Sequence, residues 1–251
     1  MAEKTSFQSL VSNKKFANSE MTLPLVLGVD SNNNPVYADL AQMPHLLVIG
    51  RTGSGKTTFL QSVIMSLLHK FKPTECKLLI IDPQGVNFPV WNNSPHLIRP
   101  VVTEQDTAEK SLEWIVNEIG NRQHKDTMPY IVVVIDEIAD LLIINKDATI
   151  SCVQKICQKG KAVGIHLVVA TQRIRDLHED DDVAAMFANL PTRATFQLRT
   201  ADDSELVLGE TGAEKLSAHG EMLYSESGKQ SVKIDVPWIN ESDIKGFVKT
   251  L

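Results

Sequence analysis

The chain has 251 residues, 43% of them hydrophobic, and 25 Lys and Arg against 31 Asp and Glu give a formal net charge of -6. That length suits one α/β domain, or one large domain with a small appendage, and its apolar content can fill a core without disulfide or metal staples. The net charge excludes attraction of the whole surface to nucleic acid, but not a local basic channel inside a ring of subunits that is acidic outside.

Residues 1–22 read as a polar leader with room for a short helix, unlike a signal peptide, and residues 23–251 as one domain. Leu23–Val29 and Val36–Asp39 are predicted strands joined by the Asn-rich turn Ser31–Pro35, a small N-terminal β-hairpin beside the main sheet. His45–Ile49 is the next strand, and Thr57–Phe71 a helix that Pro73 stops. Lys77–Ile81 is a buried strand ending at Asp82-Pro83. A loop with Asn87, Trp91, Asn92 and Asn93 leads to Leu97–Val102, read as a short strand. Thr103–Arg122 is a helix, with Thr103 as cap, Asp106 in capping-box position, and Ala108, Leu112, Ile115 and Ile119 on its apolar face. Tyr130–Ile135 is apolar on both faces, as a central parallel strand must be. Helix follows over Ile138–Val163, interrupted near Asn145–Asp147, and then the strand Ile165–Ala170. Ile174–Asp182 reads as an acidic loop. Strands at Ala194–Leu198, Glu221–Tyr224 and Val232–Val236 alternate with helices at Asp202–Leu208, Ala213–Leu216 and Glu241–Leu251. The alternation predicts a three-layer α/β fold with a mainly parallel central sheet. No stretch approaches the roughly twenty apolar residues of a membrane span. Cys76, Cys152 and Cys157 lack metal-site spacing and read as reduced structural thiols, which suits a cytoplasmic chain without membrane contact of its own.

Between the strand His45–Ile49 and its helix lies G-R-T-G-S-G-K-T, Gly50–Thr57. This is the phosphate-loop pattern in its proper strand–turn–helix setting. Gly50, Gly53 and Gly55 permit backbone angles that let several N–H groups converge on one anion, and the helix start adds its orphan donors and dipole. Gly50, Arg51, Thr52, Gly53, Ser54, Gly55, Lys56, Thr57 and Thr58 are therefore the expected ATP-binding set. Lys56 would reach the β- and γ-phosphates, and the Thr57 hydroxyl would join a Mg²⁺ shell.

Asp136 and Glu137 follow the apolar run I-V-V-V-I. An acidic pair at a strand end can simply cap the next helix. One intervening apolar strand after a phosphate loop makes it the metal-holding and water-activating pair of a RecA-like NTPase, with Asp136 on Mg²⁺ and Glu137 as base. Gln172, ending the next strand, either senses the γ-phosphate and aligns the water or is a polar strand terminus. Phosphoryl transfer also calls for positive charge, often from a neighbouring subunit. Arg173, Arg175, Arg193 and Arg199 are candidates, with Lys161 a weaker substitute, and each alone is also an ordinary salt-bridge partner. His45, His96 and His166 match no zinc spacing and read as hydrogen-bonded core histidines. Lys155, Lys159 and Lys161 form a basic cluster, either a solvated helix face or a DNA-facing one.

Several stretches together resemble the FtsK/SpoIIIE family of hexameric DNA-pumping ATPases. They are Leu27–Gly50, I-D-P-Q (Ile81–Gln84), S-P-H-L (Ser94–Leu97), P-Y-I-V-V-V-I-D-E-I-A-D-L (Pro129–Leu141), G-I-H-L-V-V-A-T-Q-R (Gly164–Arg173), N-L-P-T-R (Asn189–Arg193) and G-A-E-K-L-S-A-H-G-E-M-L-Y (Gly212–Tyr224). The likeness runs in register from Leu23 to Val236 and implies ATP, Mg²⁺, water-activating and sensor roles for Lys56, Thr57, Asp136, Glu137 and Gln172. It implies a motor that moves double-stranded DNA through a homo-oligomeric, hexameric ring, with ATP at subunit interfaces. The sequence departs from the family in four places. Only Gln123–Met128 stands where a long segment is usual, Lys161 replaces an arginine in Q-K-G-K-A-V-G, Glu205 replaces another after Asp203-Ser204, and Glu179–Asp182 is acidic. Two alternatives are an ATPase that energises protein secretion or assembly, and a weakly hydrolysing regulatory module.

Overall fold

The computed structural model describes residues 5–122, 128–173, 179–226 and 229–251. Its elements in chain order are α1 (Phe7–Val11), α2 (Lys14–Ala17), β1 (Pro24–Asp30), β2 (Pro35–Asp39), β3 (Leu46–Ile49), α3 (Lys56–Lys70), β4 (Cys76–Ile81), α4 (Gln105–Asn121), β5 (Tyr130–Ile135), α5 (Ile138–Ile144), α6 (Lys146–Lys159), β6 (Ile165–Thr171), α7 (Asp181–Ala188), β7 (Thr192–Phe196), α8 (Ala201–Leu208), β8 (Glu221–Ser225), β9 (Val232–Asp235) and α9 (Glu241–Val248). They form two compact units. The first gathers the chain up to Met43 with Val48–Lys70 and Thr192–Leu251, and the second Pro44–Leu47 with Phe71–Pro191. Strand β3 supplies two residues to each.

In the first unit the strand order is β2-β1-β9-β8-β7-β3. The predicted N-terminal hairpin forms, and β1 also pairs antiparallel with β9 through Val29↔Asp235 and Asp30↔Ile234. The β1–β2 register shifts between Val26 and Gly28. Gly28 has φ +143, and a Cβ there would lie 2.0 Å from the Asp235 carbonyl oxygen, so only glycine fits. Helix α3 services the same irregularity. Ser62 Oγ donates to Val26 O at 2.9 Å, and Val26 N–H donates to Ser66 Oγ at 3.0 Å. These two helical serines satisfy buried backbone groups that the shifted ladder leaves over. Short α1 and α2, capped by Ser6 and Asn13, bury Phe7, Leu10, Val11 and Phe16.

In the second unit the order is β3-β6-β5-β4, and β4, β5 and β6 are parallel. Their near-continuous burial matches the unbroken apolar runs that both-face coverage requires, with Leu79, Val133 and Leu167 in register across the three. The parallel order thus holds at β4–β6, whereas β7, β8, β9, β1 and β2 pair antiparallel.

Three local expectations are corrected. Leu97–Val102 is no strand, because only Leu97 and Val102 bridge to β4 and the segment between them carries Arg99-Pro100. Pro100 has no N–H to continue a ladder. Helix α4 starts at Gln105 with Glu104 at the N-cap and no side-chain cap bond, one residue later than a Thr103 cap would place it. The acidic run is partly helical: Asp180 accepts from Asp182 and Val183 N–H groups and starts α7, where the acids suit the positive end of the dipole. Ile174–His178, with Arg175, lies outside the described residues.

His45 and His96 are hydrogen-bonded core histidines of the second unit, as expected, with His96 Nε2 2.9 Å from the Phe71 carbonyl, whereas His166 is equally buried but its Nδ1 finds no hydrogen-bond partner among the described residues. The fully buried His45 accepts from Leu167 N–H through Nδ1 at 3.0 Å, which assigns the proton to Nε2, 3.3 Å from the Cys157 carbonyl. Burial pulls its pKa down to about 4, the Cys157 bond opposing and Lys161 assisting. The unfolded histidine therefore binds more protons than the folded one between about pH 6.5 and 4, and stability is lost as pH falls through that window. A thermal-unfolding midpoint that falls steadily from pH 7 to pH 4 is expected, and a smaller fall in His45→Gln.

Candidate functional site

The glycine-rich turn lies in the first unit, between the last residues of β3 and the start of α3. Its shape is set by close approach to neighbouring chain. Arg51 N–H donates to Gln197 O at 3.0 Å, and Gly220 N–H donates to Ser54 O at 2.9 Å. Gly55 has φ +113, and a Cβ there would stand 2.8 Å from Gly220 Cα. The rim residues Arg51, Thr52 and Gly53 are exposed, Ser54 is buried, and Gly55, Lys56, Thr57 and Thr58 are half-buried. Lys56 Nζ curls back to donate to Gly50 O at 2.7 Å and Arg51 O at 3.1 Å. The first turn of α3 carries no acidic residue, so the helix itself does not offset the positive end of its 15-residue dipole at this turn. A glycine-rich turn rich in backbone N–H groups, a lysine and a helix start without acidic residues are chemically fit for a polyphosphate.

The carboxylates lie in the second unit. Asp136 closes β5, with its N–H donating to Ile81 O at 3.1 Å. Its Oδ2 accepts from Asn87 Nδ2 at 3.1 Å. Glu137 N-caps α5 and is only 4% exposed. Thr171 Oγ1 donates to its Oε1 at 2.6 Å, Gln172 N–H to its Oε2 at 3.0 Å, and Ala139 N–H to Oε1 at 3.3 Å. Burial raises the Glu137 pKa, the bonds from Thr171, Gln172 and Ala139 pull it back, and the nearby Asp140 charge adds to the rise. The balance is a carboxylate oriented from three directions and more basic than usual.

Asp136, Glu137 and Gln172 are thus gathered at adjacent strand ends, with Gln172 reaching Glu137 through its backbone. The candidate cations are dispersed. Arg173 pairs with Asp140 at 3.7 Å, and Gln84 Nε2 donates to the same carboxylate at 3.4 Å. Arg193 is half-buried and gives a guanidinium hydrogen bond to the Val207 carbonyl, with burial lowering its pKa. Arg199 and Lys161 are exposed. Sequence reasoning passed over Thr171, Asn87 and Asp82. Asp82 is fully buried and accepts from the N–H groups of Gly85 at 3.0 Å, Asn87 at 3.0 Å and Phe88 at 3.1 Å, which folds the loop that presents Asn87. The available signals were the polar residues ending two apolar runs, Asp82 and Thr171.

Among the described residues no group of three or more His, Cys, Asp or Glu could hold a metal ion. A single positioned carboxylate instead fits a magnesium ion that takes its remaining ligands from substrate phosphates and water. No helix of the described residues is long and apolar enough to cross a membrane.

The profile of the FtsK/SpoIIIE family matches residues 7–128 and 123–176. The DNA translocase FtsK of Brucella melitensis biotype 1 is 32% identical over 299 residues, covering 99% of this chain and 36% of that protein. The DNA translocase SftA of Bacillus subtilis (strain 168) is 35% identical over 264 residues, covering 96% of this chain and 27% of that protein. The chain therefore spans about a third of the length of these relatives. Among solved structures, the cytoplasmic domain of the Thermomonospora curvata Type VII secretion ATPase EccC superposes with a TM-score of 0.81 at 20% identity, over 100% of this chain and 34% of that one. The pCW3 conjugation coupling protein TcpA, in monomer form with ATPgS, gives 0.75 at 22% identity, over 95% and 73%. These two likenesses show that the chain shares the fold of those proteins.

Proposed function

The chain belongs to the FtsK/SpoIIIE family, and on that premise we propose that it is a motor ATPase that hydrolyses ATP to move double-stranded DNA through a ring of its own copies. The observation that carries the reading is Glu137, a buried, basic carboxylate oriented by Thr171 and Gln172 at a strand end in a chain that also bears a phosphate loop. The relatives' description as DNA translocases supports the substrate.

In this reading the amides of Gly50–Gly55 and the Lys56 ammonium bind the phosphates, and Arg51, Thr52, Ser54 and Thr58 complete the nucleotide-binding turn. The Thr57 hydroxyl and the Asp136 carboxylate are the groups that would hold magnesium, which would supply positive charge to the phosphates. Glu137 takes a proton from the attacking water, its raised pKa making it the better base. The Gln172 side chain aligns that water. The interfacial positive charge comes from Arg199 rather than Arg193, since Arg193 is engaged by its own chain's Val207. Arg173 and Lys161 are the reserve candidates. A hexamer is the expected assembly.

Thr171→Val keeps the shape and removes the 2.6 Å bond to Glu137. A hydrogen bond to a charged group is worth about 1.5–3 kcal/mol, so kcat should drop about 10- to 100-fold. Because the lost bond favoured the charged carboxylate, the acid limb of the kcat–pH profile should move to higher pH. A lowered kcat with an unmoved acid limb would mean that Thr171 does not act through Glu137.

The test of the whole reading is the ATPase rate with and without double-stranded DNA over a salt series. Stimulation that fades as salt rises is expected, because phosphate contacts release counterions. Turnover indifferent to DNA would favour a secretion or assembly ATPase, and no turnover in assembled protein a regulatory module.

A further inference from the structure

The loop after β4 is built to present one side chain to the carboxylate at the end of β5. Asp82 is fully buried and takes three backbone N–H groups, from Gly85, Asn87 and Phe88. Phe88 is itself fully buried and anchors the far end of the loop. Gly85, with φ +66, makes the reversal between them. The Asn87 backbone is thereby fixed, and its Nδ2 donates to Asp136 Oδ2 at 3.1 Å across a sequence separation of 49. Nothing in the family reading assigns a task to Asn87.

The terminal torsion of an aspartate is broad and roughly two-fold, so strand geometry alone does not set the plane of its carboxylate. A donor fixed from a neighbouring loop does. A neutral amide suits that purpose, since it stabilises the negative charge without competing for a cation, whereas a lysine there would repel one. With no three-ligand cluster among the described residues, the cation depends on few protein groups, and the orientation of each one weighs heavily.

We propose that Asn87 is a positioning residue that sets the affinity of the site for its divalent cation by holding the Asp136 carboxylate. The inference rests on the ATPase reading, in which Asp136 is the group on the metal side. Removing the amide takes away one fixed donor that orients the carboxylate, and the cost appears in metal binding, while the phosphate-binding turn keeps its own donors.

The test compares wild type, Asn87→Ala and Asp136→Ala. Manganese binding to the protein with a non-hydrolysable ATP analogue is followed by electron paramagnetic resonance. Affinity of the analogue in EDTA and unfolding midpoints serve as controls. Outer-shell partners of metal ligands typically contribute about 10- to 100-fold in affinity. Asn87→Ala should weaken manganese binding by about tenfold, leave metal-free nucleotide affinity unchanged, and lower ATP turnover at limiting magnesium with recovery at excess magnesium. Unchanged manganese affinity in Asn87→Ala, or a turnover deficit that excess magnesium does not relieve, would overturn the proposal. Asp136→Ala separates the two levels. If it also leaves manganese affinity unchanged, the metal role of Asp136 fails; if it weakens binding and Asn87→Ala does not, only the role of Asn87 fails.

Discussion

Glu137→Gln is expected to cut ATP turnover about 10²- to 10⁴-fold, the usual contribution of a positioned general base, while nucleotide binding stays at the wild-type level. The substitution keeps the side chain's length and leaves an oxygen to accept from Thr171 or Gln172, so α5 and the strand ends should keep their arrangement. What it removes is the basic oxygen. Because Glu137 is nearly fully buried, no bulk-water ion can substitute for it at the same position. Single-turnover hydrolysis and equilibrium binding of a fluorescent ATP analogue would together check this, and normal turnover in the variant would remove Glu137 from the role of base.

Lys56→Ala should act one step earlier. In the structure Lys56 Nζ donates to Gly50 O at 2.7 Å and Arg51 O at 3.1 Å, so the lysine both braces the turn and carries the cation that phosphates would attract. Its loss removes a positive charge from the helix start and loosens the loop's rim. A charged donor aimed at a transferring phosphoryl group contributes on the order of 10²- to 10³-fold to rate, and here binding falls as well. The expected result is weak ATP binding together with loss of turnover, in contrast to Glu137→Gln, where binding survives. If Lys56→Ala bound ATP as wild type does, the glycine-rich turn would not be the phosphate site.

How far these residues were legible depends on how local their partners are. Gly50–Thr57 could be read because strand, turn and helix are contiguous in sequence, and Asp136-Glu137 because they end an unmistakable apolar run. Thr171 offered only the weak signal of a polar residue ending an apolar run, since its partner Glu137 is 34 positions away. Asn87 is likewise only one of several asparagines in a polar loop until Asp82 is seen to fold it. Strand direction is also absent from hydrophobic period. Alternation with helices suggested parallel pairing, which held at β4–β6, while the closely spaced β7–β9 pair antiparallel. Burial of charge was equally hidden. Arg193 and Arg199 look alike in sequence, yet one is half-buried against Val207 and the other exposed. The α7 start was missed because three consecutive aspartates read as a solvated loop, although they are good company for a helix N-terminus.

In the proposed motor, hydrolysis at Glu137 drives the movement of duplex DNA through the ring. Displacement of a third strand from the far end of a long double-stranded DNA, followed in real time, measures that movement itself rather than its fuel consumption. The expected result is displacement that requires ATP and magnesium, begins after a lag proportional to the length of duplex, and is absent with Glu137→Gln. DNA-stimulated ATP hydrolysis without any displacement, at every duplex length and protein concentration that supports assembly, would contradict it.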